Sequence, residues 1–257
     1  MRQAEFVPDR IINLTRYGAA RELAGISPMR EKTALFPRIT TEIAAGWLTE
    51  GGANASADNP VFDQVNVTSA PLGGVKIVTL DILNDALVNV ADSLADSFAN
   101  SINNKIDDAY FNGDGTSGFG SFTGLDDATG AGGTVVASGN AFDEVTLSDI
   151  NSTRSKLAPW ARQENLAIAC SRAVYYGVFA RLQYEAGGNT AASIGDGYLR
   201  PSFFGMPVVF SEVMPAAAAN AATIAYIGAY RNATKLGKVN GSAEFSVSND
   251  RYFAQFA

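Results

Sequence analysis

Leu80, Leu83, Leu87, Val90, Leu94, Phe98, Ile102 and Ile106 recur at steps of three or four and draw one apolar stripe. The spacing predicts a single helix over 80–111, opened by Thr79 or Asp81 and closed by Asn112-Gly113. Neither proline nor glycine interrupts it. At 1.5 Å per residue the rod is ~48 Å long, too long to be centred in a compact globule of this size. Asp81, Asp85, Asp92 and Asp96 lie off the stripe and make an acidic face.

Other segments follow different periods. Val61-Phe62-Asp63-Gln64-Val65-Asn66-Val67-Thr68 mostly alternates, and Val75–Thr79 is a second β-rich run. Together they predict a two-stranded excursion over 46–79. An isolated hairpin is marginal in water, so this ribbon needs something to lie against. Residues 1–45 read as an arm with scattered apolar positions, punctuated by Pro8, Pro28 and Pro37, with a short strand at Thr33–Phe36. Residues 112–142 are a Gly-, Thr- and Ser-rich loop. Beyond it, a Thr146-x-x-Asp149 box opens a helix to Leu157. Leu166–Cys170 reads as a buried strand, Ser171 caps a helix through Gln183, and strands follow at Gly205–Ser211, Thr223–Gly228 and Ala243–Ser248. The fold class is α+β, with a compact α+β domain over about 141–240.

Composition narrows the chemistry. The chain has 257 residues, no histidine and one cysteine, Cys170. That excludes Ser-His, Cys-His and His-metal mechanisms from this chain alone, and with them an internal disulfide or a cysteine-cluster metal site. The net charge of −7 argues against a dedicated nucleic-acid binder. It is unevenly spread: +2 over 1–45, −2 over 46–79, −8 over 80–130 and +1 over 131–257. A basic leader and an acidic middle can attract each other, within a chain or between neighbours. No run approaches a membrane span, and no apolar run follows the charges at the N-terminus.

Gly113-Asp114-Gly115-Thr116-Ser117-Gly118 matches Gly-x-Gly-x-x-Gly but follows a helix, where the dipole has the wrong sign for phosphate; it reads as a turn. Asn112-x-Asp114-x-Thr116 starts like a calcium loop, yet the twelfth position is Thr123 rather than a glutamate. Asp107-Asp108 and Asp126-Asp127 suggest paired carboxylates, but neighbours on a helix point about 100° apart, so a solvated face or ion-pair cluster is the expectation. Cys170 reads as a small buried residue. Trp47, beside Glu50 at the ribbon's root, is either a plug onto its own domain or an anchor between subunits.

These pieces occur in a recognisable order: an arm; Trp47-Leu48-Thr49-Glu50-Gly51-Gly52; Phe62-Asp63-Gln64-Val65; the helix to Phe111 closed by Asn112-Gly113-Asp114-Gly115-Thr116; Phe122-Thr123-Gly124-Leu125; Phe204-Gly205-Met206-Pro207-Val208-Val209 leading to Pro215; and Ile227-Gly228-Ala229-Tyr230. Over roughly residues 6–250 the chain resembles the major capsid proteins of tailed bacteriophages and prophages with the Hong Kong 97-type fold.

The resemblance implies an N-terminal arm over 1–45 and an extended loop over 46–79 that lies across the neighbouring subunit. It implies a peripheral domain over 80–140 with its spine helix at 80–111, an axial domain over 141–240, and a return to the peripheral domain over 241–257. It also implies that the family's C-terminal residues continue beyond Ala257. The implied function is a non-enzymatic head protein that assembles with itself, as hexameric and pentameric capsomers, into an icosahedral or prolate shell around phage DNA. No cofactor or metal is implied, and DNA is touched only non-specifically. Portal, scaffold and maturation protease are implied partners, with synthesis in the bacterial host cytoplasm. Trp47, Glu50, Phe62, Val65, Arg10, Arg16 and Arg21 are the expected assembly contacts. Lys76 sits in the return strand, so covalent crosslinking is not expected. An encapsulin-type shell of the same fold and a secreted surface-layer protein are the alternatives; a carboxylate-based hydrolase would need convergent Asp or Glu pairs.

Overall fold

The computed structural model describes residues 18–41, 60–76, 90–137, 139, 141–159, 161, 165–185, 201–217 and 222–239. They divide into two compact units. One holds 18–25 and the described part of 71–235; the other holds the described parts of 26–70 and 236–246.

The larger unit is built on a four-stranded sheet. Its strands are β4 (Ala167–Cys170), β5 (Ser202–Phe203), β6 (Met206–Phe210) and β7 (Ala225–Gly228), in the order β5-β6-β4-β7. β4 runs parallel to β6, with Ile168 beside Val208, and antiparallel to β7, with Ile168 beside Ile227. The central strands are apolar throughout because both faces are covered. Ile168, Cys170 and Val208 point to a core completed by Ile150, Val174, Val178, Phe179, Leu182 and Phe203. Their neighbours Ala169, Val209 and Tyr226 point to the other face, packing with Ala19, Leu23, Phe111, Met214 and Tyr230. Residues 19, 23 and 111 come from segments that sequence assigned to the arm and the spine helix.

Six α-helical segments accompany the sheet among the described residues. α1 is Ala19–Leu23, and α2 runs unbroken from Val90 to Asn112. The expected first part of that helix, 80–89, lies outside the described residues. Leu94, Phe98, Ile102 and Ile106 are only half-buried; burial becomes complete at Ala109 and Phe111. α2 stops at Gly113, where a Cβ would run into the carbonyl oxygens of Ala109 and Phe122. A short α3, Leu125–Gly133, follows. α4 is Leu147–Ser155, and its capping box is complete: the Asp149 N–H donates to the Thr146 hydroxyl while the Asp149 carboxylate accepts from the Thr146 N–H. The helical run α5 spans 172–185, made of Arg172–Val174, a π-helical turn at Tyr175–Ala180, and Arg181–Glu185. Ser171 caps it, accepting from the Val174 N–H. Tyr230–Ala233 forms α6, which the sequence pattern had not indicated.

Among the described residues the smaller unit has two two-stranded sheets, the first residue of β1 and of β8 being counted with the larger unit. β1 (Gly25–Met29) pairs with β8 (Lys235–Val239), and β2 (Thr33–Thr41) pairs antiparallel with β3 (Val61–Thr68). A Cβ at Gly237 would strike the Met29 sulfur, with a Val67 methyl behind it, so glycine is what lets the two sheets pack. The expected ribbon of 61–68 with 75–79 is corrected here. β3 pairs with 33–41; 75–76 are not in a strand, and 77–79 lie outside the described residues. Pro37 does not end the strand, because in a two-stranded sheet every strand is an edge and a proline is tolerated there. The expected strand at 243–248 also lies outside the described residues.

Candidate assembly surface

The β2–β3 ladder sets which side chains share a face. Arg38 stands opposite Asp63, Phe36 opposite Val65 and Ala34 opposite Val67 on one side. Ile39 opposite Phe62, Pro37 opposite Gln64 and Leu35 opposite Asn66 lie on the other. The second face is unusual. Leu35, Ile39 and Phe62 are 58%, 60% and 68% exposed, so three large apolar side chains on one sheet face meet water. The first face carries an ion pair: the Arg38 guanidinium donates from Nη2 and Nε to one Asp63 oxygen at 2.7 and 3.1 Å. Those bonds, with one from the Gln64 N–H, hold the Asp63 carboxyl below its ordinary value. Val65 sits on this face and is 41% exposed.

Of the expected assembly residues, Phe62 and Val65 therefore lie on opposite faces of one strand. Arg21 is exposed on α1, in the other unit, with no ion pair among the described residues. Trp47, Glu50, Arg10 and Arg16 lie outside the described residues. Leu35 and Ile39 were missed. Their signal, Leu35-x-Pro37-x-Ile39, was hidden by treating Pro37 as a stop.

The carboxylates in the larger unit serve the fold. Asp107 is buried, against the expectation of a solvated pair. One oxygen accepts from the Gly18 and Ala19 N–H groups at 2.6 and 3.2 Å, the other from the Ala20 N–H at 3.0 Å. It caps α1 from a distant helix. Asp108 points away, within 3.7 Å of the Lys105 ammonium and accepting from Asn112. Asp114 accepts from the Thr116 N–H and hydroxyl, which lowers its pKa, and Gly115 sits at φ +78°. The glycine-rich stretch is thus a turn folded on the end of α2. Asp126 accepts from the Thr223 and Tyr226 hydroxyls. Burial pushes the Cys170 thiol up to about 12, which leaves it inert as a nucleophile. Among the described residues no cluster of three metal-ligating side chains occurs, and no helix is long and apolar enough to cross a membrane.

An apolar sheet face left open to water marks a surface that meets another protein. Comparison with known proteins makes this specific. The profile of the phage capsid family matches residues 3–257, and the chain belongs to that family. No curated protein matches the chain. Among solved structures, the capsid of a native GTA particle superposes with a TM-score of 0.60 at 21% identity, covering 88% of this chain and 80% of that one. A protein of Mycobacterium phage Bobi gives 0.67 at 19% identity, over 90% and 75%. One of Mycobacterium phage Adephagia gives 0.64 at 19%, over 90% and 73%. At these identities the likeness is one of fold. The protein is a structural capsid protein of a phage-type head, and it self-associates.

Proposed function

We infer that the chain is a Hong Kong 97-type subunit that closes an icosahedral or prolate shell around phage DNA, without enzymatic activity of its own. Hexameric and pentameric capsomers, a portal, a scaffold and a maturation protease are the partners this reading carries, with assembly in the host cytoplasm. The β2–β3 ribbon, continued through the extended loop, lies across a neighbouring subunit. The observation that carries this reading is the open face of Leu35, Ile39 and Phe62. An exposed apolar sheet face is an aggregation liability unless something covers it. Each large side chain fully buried on a neighbour is worth roughly 1.5–3 kcal/mol, and the contact repeats at every subunit.

The test is the double variant Ile39→Thr with Phe62→Ser. Both faces of the ladder remain pairable, so thermal unfolding of the isolated chain is expected to stay within the wild-type range. Particle formation, read by sedimentation, is expected to be lost. Wild-type particles from this variant would remove the ribbon from the assembly contact.

A further inference from the structure

Phe204 adopts a left-handed backbone, φ +50°, at the turn between β5 and β6, followed by Gly205 at φ +76°. Such two-residue hairpin turns are normally Asn-Gly or Asp-Gly, because a bulky side chain is strained there. The strain brings the ring to the tip, where it is 44% exposed. One side of the ring is held. Phe203 lies edge-on at 4.6 Å between centroids, and the Arg154 guanidinium sits 4.8 Å from the Phe204 centroid. Arg154 is half-buried, yet forms no ion pair or side-chain hydrogen bond among the described residues. It lines an open cleft of about 530 Å³ together with the polar Asn151 and Ser155 and the apolar Leu157, Ala158 and Pro159.

We propose that this cleft is an anchor site between copies of the chain, receiving a carboxylate-bearing segment of a second copy. The ring holds the guanidinium by its face, and no carboxylate among the described residues takes its donors, so a bidentate carboxylate can. Leu157, Ala158 and Pro159 receive the stem of the incoming segment, and Asn151 and Ser155 offer it polar groups. A second copy fits on charge: residues 80–130 carry a net −8, and beyond the aspartates that serve the fold this acidic stretch has carboxylates to offer Arg154. Within one chain asparagine would make the same turn without strain, so the ring's return lies in the contact it builds. The proposal rests on the capsid reading, which supplies the second copy.

Phe204→Asn tests it, since asparagine tolerates the left-handed turn and removes only the ring. Its melting temperature is expected to equal or exceed that of the wild type, while the concentration threshold for particle formation rises at least about tenfold. Arg154→Gln is expected to raise the threshold similarly and to flatten its salt dependence, with Arg154→Lys recovering part of the loss. A photo-crosslinking residue, Phe204→p-benzoylphenylalanine, is expected to join two copies at an Asp- or Glu-containing peptide. Variants that assemble at the wild-type threshold, or crosslinks confined to one chain, overturn the anchor site and leave the capsid reading intact. A wild-type chain that stays monomeric overturns both.

Discussion

Replacing Asp107 with alanine removes the acceptor for three backbone N–H groups at the start of α1. Those donors are left buried without a partner, which costs about 2–3 kcal/mol. Chemical denaturation should show that loss, while Asp108→Ala stays within about 0.5 kcal/mol because its partners are on the surface. Sequence showed that the two carboxylates diverge, since adjacent helical positions must. It could not show which one is buried, because the cap lies 87 to 89 residues away. The tyrosines give a second prediction. Burial pushes Tyr110 up to about 12, and Tyr226 and Tyr230 also titrate above their ordinary 10.0. A phenol whose folded pKa is raised contributes stability below the unfolded pKa and loses it as pH rises through the folded one. Stability is therefore expected to be flat up to about pH 10 and to fall between about 10 and 12. Phenolate absorbance should rise together with loss of the fold; buried tyrosines that ionise near pH 10 in the intact protein would contradict it.

At the scale of elements, local signals transferred best. The Thr146 capping box, the Ser171 cap and the apolar runs at 166–170 and 206–210 need only near neighbours, and each appears in place. Thr146→Ala is expected to cost about 1 kcal/mol in an equilibrium unfolding measurement. Pairing was less legible. The strand at 61–68 was visible, but its partner was not, since alternation fixes a face and leaves the mate open. The cross-strand pairs that choose 33–41, Arg38 with Asp63 and Ile39 with Phe62, become evident only once both strands are aligned. The π-turn at Tyr175–Ala180 had no sequence signal either. The Arg38–Asp63 pair gives a test in solution. Asp63 should titrate below its ordinary 3.8 by NMR, and Arg38→Gln should return it upward. Its contribution to the ribbon is present above that ordinary value and lost as pH falls through the depressed one.

For the whole molecule, the order and spacing of the motifs between Trp47 and Tyr230 led to the family to which the chain belongs. The arm was read as unable to bury itself, yet its Ala19 and Leu23 pack in the chain's own core, because the sheet face that receives them is formed by strands far away in sequence. Charge adds a consequence. The basic leader and the acidic 80–130 stretch favour contacts between copies, so assembly is expected to weaken from low to molar salt; indifference to salt would argue for apolar contacts alone. The central claim is that the open ribbon face is completed by a neighbouring subunit. Electron cryomicroscopy of particles formed by the full chain tests it most directly. The account predicts closed shells in which Leu35, Ile39 and Phe62 are covered by the adjacent copy. Shells with that face turned to solvent, or a chain that forms no particle at any concentration, would contradict it.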